Sequence, residues 1–202
     1  NSLSRAGIPI LILIYITIAF AFRSYSQPIL LFVLIPVSLI GVAWGHWVHN
    51  FSVSIISLLG VIALIGIMVN DGLVFIGKFN SNIKEGYRFK ESLILAGRSR
   101  FRAIFLTSAT TVAGLTPLLL EKSRQAQWLK PMAITVSYGI AFATILTLIL
   151  LPIFISLMNE AKVYFNWLAS GEFPSQESVE RALIEKKEED KMAETESENV
   201  QI

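Results

Sequence analysis

The chain has 202 residues, 53% of them hydrophobic, with a mean hydropathy of +0.60, which excludes an ordinary soluble domain of this size. Its net charge of +2 conceals a division: residues 1–159 hold 12 Lys and Arg against four acids, and residues 160–202 hold 5 against 11. The lack of cysteine excludes disulfides, thiolate metal sites and cysteine nucleophiles.

The opening NSLSRAGIPI has neither a starting Met nor a charged region ahead of a short apolar core, so the chain reads as a piece of a longer polypeptide. Five apolar segments follow, near 7–22, 28–48, 53–78, 103–120 and 131–158, and each can cross about 30 Å of hydrocarbon as a helix. Helix is forced there, because the bilayer offers no water to satisfy free backbone groups. The expected fold is an all-α integral membrane protein: a five-helix transmembrane bundle over 1–159 and a charged, partly disordered tail over 160–202.

In the second segment, Pro36 is read as a kink and the Gly41–Gly45 pair as a place where another helix comes close. His46 and His49 at its outer end are read as interfacial polar residues without a functional role. In the third segment, Gly60, Ala63 and Gly66 thin one side, which suggests enclosure by other helices. The same segment carries GIMVNDGLVF, where Asn70 and Asp71 interrupt an otherwise apolar run. Placing a charged Asp at a membrane helix centre costs about 2.5 to 3.5 kcal/mol, so such residues usually face a bundle interior and often serve transport. Two readings stay open for Asp71. Either it remains protonated and hydrogen-bonds a neighbouring helix, or it alternates between protonated and ionised states.

The loop KFNSNIKEGYRFKESLILAGRSRFR carries seven Lys and Arg, which puts it on the cytoplasmic side together with Arg23 and the tail. Within it, KESLILAG reads either as a short interfacial helix or as a solvated linker. The fourth segment then places Arg100 and Thr107 seven residues apart on one helical face, with Thr111 and Gly114 further along, as a candidate polar track beside Asp71. Arg98 and Arg102 are read as plain positive-inside anchors. Pro117 and Pro152 are read as kinks in or at the ends of the last two segments. Beyond Met158, Tyr164, Phe165 and Trp167 suit an interfacial aromatic belt, and the acidic tail is expected to form a short frayed helix running into disorder.

GVIALIGIMVNDGLVFIGKFN, then a basic loop with ESLILAGRSRFRAIFLTSATTVAGLTPLLL, then a last span ending LILLPIFISL, resembles the C-terminal membrane half of resistance-nodulation-division (RND) efflux permeases. The resemblance covers nearly all of residues 1–159. It implies a twelve-span protein of two pseudo-repeated halves in the bacterial inner membrane, usually a homotrimer, to which this chain contributes spans eight to twelve. It further implies export of drugs or other amphiphiles driven by the proton motive force, with the N-terminal half of the same transporter, membrane lipid, a periplasmic adaptor and an outer-membrane channel as partners.

In that family the proton relay pairs two aspartates of span four with a lysine on span ten and Arg and Thr on span eleven. By position, the arginine falls on Arg100, the threonine on Thr107, and the lysine on Asn70, with Asp71 beside it. Asn70 and Asp71 therefore look like the repeat counterpart of the aspartate pair, and the coupling ion is expected to be H+ or another cation. Lys78, seven residues beyond Asp71 and about 10 Å along the helix, is a poor substitute for the lysine. No cofactor, metal or nucleic-acid partner is expected. An intramembrane aspartyl protease would need two membrane carboxylates where only Asp71 is at hand, so no enzyme is expected. The competing class is a non-transporting membrane module, such as a protein-secretion accessory or a sterol-sensing-like receptor.

Overall fold

The turn HNFS shows how the sequence ends one helix and starts the next. Asn50 takes a positive φ of 54°, a conformation asparagine tolerates better than most residues. Ser54 and Ser57 then close a capping box, each side chain bonding the other residue's backbone N–H. In this computed structural model, which describes residues 9, 12–13, 15–20, 24, 26–171 and 173–200, every long element is helical. Helix α1 is Ser26–His49, α2 is Ile55–Lys84, α3 is Phe89–Leu120, α4 is Arg124–Ser170 and α5 is Arg181–Val200. Of the first expected span, 7–22, only residues 9, 12–13 and 15–20 are described, and they are helical.

Helices α1 to α4 are each long and apolar enough to cross a membrane. Helix α4 is the hub, and α1, α2 and α3 all pack along it. Between helices in lipid there is no hydrophobic driving force, so close van der Waals approach carries the packing. Gly45 provides such an approach: a Cβ there would sit 2.6 Å from the Tyr138 side chain of α4, and Gly41 faces Phe142 one turn away in the same manner. The expected enclosure of α2 along its thinned side holds at Gly60, which faces Thr135. Gly66 has no neighbour within 4 Å and Ala63 is exposed.

Three boundaries differ from the sequence reading. KESLILAG is neither a separate helix nor a linker but the opening turns of α3, because most of its residues are good helix formers and no proline follows until Pro117 in the last turn. Along these turns of α3, Phe89, Ser92 and Ala96 are buried, Phe89 edge-on to Phe79 of α2. Helix α4 runs 47 residues, about 70 Å, straight through position 159 until Gly171 stops it at φ 75°. The tail, in turn, is helical to Val200 and packs on α2. Its ordering has visible causes: Lys84 pairs with Glu185 at 2.9 Å, and Lys186 Nζ donates to the Lys84 carbonyl at 2.7 Å.

Candidate functional site

The buried residues of α2 recur at helical spacing: Ser57, Gly60, Leu64, Met68, Asp71, Phe75 and Phe79. Asp71 thus occupies a place in the stripe that packs against the bundle, and its neighbour Asn70 turns to the exposed side. The Asp71 side chain meets Ile140, Ala143, Thr144 and Thr147 of α4 across a gap too small for a water molecule. Among the described residues, no group donates a hydrogen bond to the carboxylate and none forms an ion pair with it.

Polar neighbours are nonetheless at hand. Thr144 and Thr147 are buried beside Asp71, and the Thr144 hydroxyl is hydrogen-bonded to the hydroxyl of Ser108 on α3. Ser108 also donates to the Ile104 carbonyl at 2.9 Å. The Ser108–Thr144 pair thus joins α3 to α4, with Thr144 lining the same gap as Asp71 of α2. A threonine hydroxyl can donate as well as accept, so Thr144 and Thr147 are the hydroxyl groups that line the gap beside Asp71.

The candidate track on α3 lies elsewhere. Thr107 is exposed and its hydroxyl donates to its own helix, to the Ala103 carbonyl at 2.9 Å. Arg100 is half-buried, with its Nε shielded from solvent and without a partner. Arg100 and Thr107 do share one helical face, which lies open at Thr107, and neither residue bonds Asp71. Lys78 pairs with Glu85 at 3.7 Å and plays no part at the carboxylate. Ser108, Thr144 and Thr147 are the residues the sequence reading passed over. Their signal was present as hydroxyls one turn apart in the last apolar run, and as the second residue of the Thr107–Ser108 pair.

His46 differs from its expected interfacial role. It is buried, with Nδ1 3.2 Å from the Phe51 carbonyl and Nε2 3.0 Å from the Thr135 hydroxyl, and so it ties α1, the HNFS turn and α4 together.

Comparison with known proteins gives a consistent picture. A sequence model of the AcrB/AcrD/AcrF family matches residues 1–159. The swarming motility protein SwrC of Bacillus subtilis is 29% identical over 157 residues, covering 76% of this chain and 15% of that protein. The cobalt-zinc-cadmium resistance protein CzcA of Cupriavidus metallidurans is 29% identical over 72% of this chain and 14% of its own length. The multidrug resistance protein MdtC of Erwinia tasmaniensis is 26% identical over 77% of this chain and 15% of its own length. A crystal structure of a heavy metal efflux pump superposes with a TM-score of 0.65 at 26% identity, over 73% of this chain and 14% of that one. The chain thus spans about one seventh of the length of the relatives it matches.

Proposed function

Since the chain belongs to the AcrB/AcrD/AcrF family, we propose that it forms spans eight to twelve of a proton-driven RND efflux permease, with Asp71 as a titrating group of the coupling site. The observation that carries this reading is the Asp71 carboxylate, buried in mid-span against Thr144 and Thr147 with no partner among the described residues. A purely structural carboxylate would be expected to have a donor in this conformation. One that loads and releases a cation must be free to exchange donors.

The exposed Asn70, Thr107 and half-buried Arg100 belong, in this reading, to a face that receives the N-terminal half of the same transporter. Only 11% of the most apolar stretch of α3 is buried, against 50% of that of α1, which leaves α3 the helix with most surface still to cover. A guanidinium Nε held away from solvent without a partner supplies a cation for a carboxylate arriving from that half. The coupling ion is H+ or another cation. The permease sits in the bacterial inner membrane with the Lys- and Arg-rich end and the tail in the cytoplasm, as a homotrimer working with a periplasmic adaptor and an outer-membrane channel. Relatives named for multidrug and for metal resistance cover similar shares of this chain, so we assign coupling to these spans and substrate choice to the rest of the polypeptide. Drugs or other amphiphiles are the proposed cargo.

One proton moving through 100 mV is worth about 2.3 kcal/mol, roughly a 50-fold concentration ratio. The test is export by the intact permease in vesicles with an imposed pH gradient, wild type against Asp71→Asn at matched expression and assembly. Loss of at least about tenfold in proton-driven export is the expected result. Unchanged export would return Asp71 to a structural role.

A further inference from the structure

Between α3 and α4 runs an open groove of about 710 Å³, within the size range of small-molecule sites. Its walls are Phe101, Phe105 and Val112 on α3 and Ala141, Ile145 and Leu148 on α4. The hydroxyls in its floor, Ser108 and Thr144, bond each other and ask nothing of an occupant. Phe101 and Phe105 stack on one another at 5.9 Å and stand about half exposed at one end.

The same stripe of α3 carries Arg98, one turn before Phe101, and Arg102, between the two stacked rings in the chain; the arginines are one turn apart and exposed. Among the described residues neither has an acidic partner. Val112 lies ten residues beyond Arg102, about 15 Å along the axis, or half of the ~30 Å hydrocarbon thickness. The groove therefore has one leaflet's depth, apolar walls and two unpaired positive charges at its headgroup end.

We infer that this groove binds an anionic phospholipid of the leaflet at the basic end of the bundle, its acyl chain along Phe105, Val112 and Ile145 and its phosphate on Arg98 and Arg102. The role goes beyond the general anchoring that positive residues provide, because it predicts a retained lipid of defined charge. It rests on the chain crossing the membrane and not on the transport reading. Occupancy would place a hydrocarbon chain directly over the Ser108–Thr144 pair.

The test is native mass spectrometry of the intact permease, equilibrated in mixed micelles containing equal amounts of dioleoylphosphatidylglycerol and dioleoylphosphatidylcholine. Wild type is expected to retain the phosphatidylglycerol about tenfold over the phosphatidylcholine. The double variant Arg98→Gln, Arg102→Gln should bind both lipids alike, and Ala141→Trp, which fills the groove, should lower retention of both. Equal retention by wild type would overturn the proposal, as would a preference that survives in the double variant. A cysteine placed at Ala109 that cross-links to another transmembrane segment of the permease in native membranes would show a helix in the groove, and would overturn it too.

Discussion

Among the described residues, the buried acids are Glu180 at the basic end and Asp71 in the middle of α2, and their surroundings differ. Glu180 receives Asn159 Nδ2 at 2.7 Å and Lys162 Nζ at 3.1 Å, and so ties the tail to α4. Nearby, the Glu177 carboxylate accepts the Phe89 backbone N–H at 2.8 Å, serving one of the free donors at the start of α3. Gln27 and Asn80 exchange two amide hydrogen bonds in the same region, at 2.9 and 3.1 Å. Asp71 has none of this. A buried charge that is fully partnered holds a conformation in place, whereas one without partners is poised to change its protonation or its neighbours.

The comparison can be broken by substitution. Its largest stability effect is expected at Glu180: Glu180→Ala strands the Lys162 amine and leaves Asn159 Nδ2 with only the Gln176 carbonyl, and should lower stability by about 2 kcal/mol in thermal unfolding of the detergent-solubilised permease. Asp71→Asn should leave the same unfolding curve nearly unmoved while abolishing coupling. A large loss of stability at Asp71 with none at Glu180 would reverse the assignment of roles. A smaller effect, about 0.6 kcal/mol, is expected for Thr144→Val, because Ser108 keeps its bond to the Ile104 carbonyl when its partner hydroxyl goes.

The smallest effect lies outside the membrane spans, at the turn between α3 and α4. There Glu121 accepts the backbone N–H groups of Ser123 and Lys122 at 3.0 and 2.9 Å, and these bonds hold its carboxyl below the usual carboxylate range. A group lowered in the folded state contributes stability above its unfolded pKa, about 4.3, and loses it as pH falls through the lower folded value. The difference in melting temperature between wild type and Glu121→Gln should therefore be constant near neutral pH and shrink in acid. An unchanged difference across that range would remove Glu121 from the turn's stability.

Much of the candidate site was legible in the residues themselves. An aspartate inside a 30-residue apolar helix is visible from sequence, and so is the shared face of Arg100 and Thr107. Periodicity says which residues lie together but not which way the shared face turns. Thr107 and Ser108 are adjacent, and only the position of α4 decides that Ser108 points inward to Thr144 while Thr107 closes on its own helix. The tail is a similar case. Its composition predicts disorder, yet Lys84, Asn159 and Lys162 on distant parts of the chain supply partners that composition cannot count.

By itself the sequence determined that the chain crosses the membrane, that its long elements are helices, and that a carboxylate lies within one of them. Those follow from solvent: hydrocarbon admits no unpaired backbone and makes every ionisable group conspicuous. The tertiary structure alone decided that Asp71 faces Thr144 and Thr147, that Thr107 is exposed and Arg100 half-buried away from Asp71, and that a basic-ended groove opens between α3 and α4. Those depend on how helices far apart in the chain meet, and contacts between distant segments are set by packing geometry rather than by local pattern.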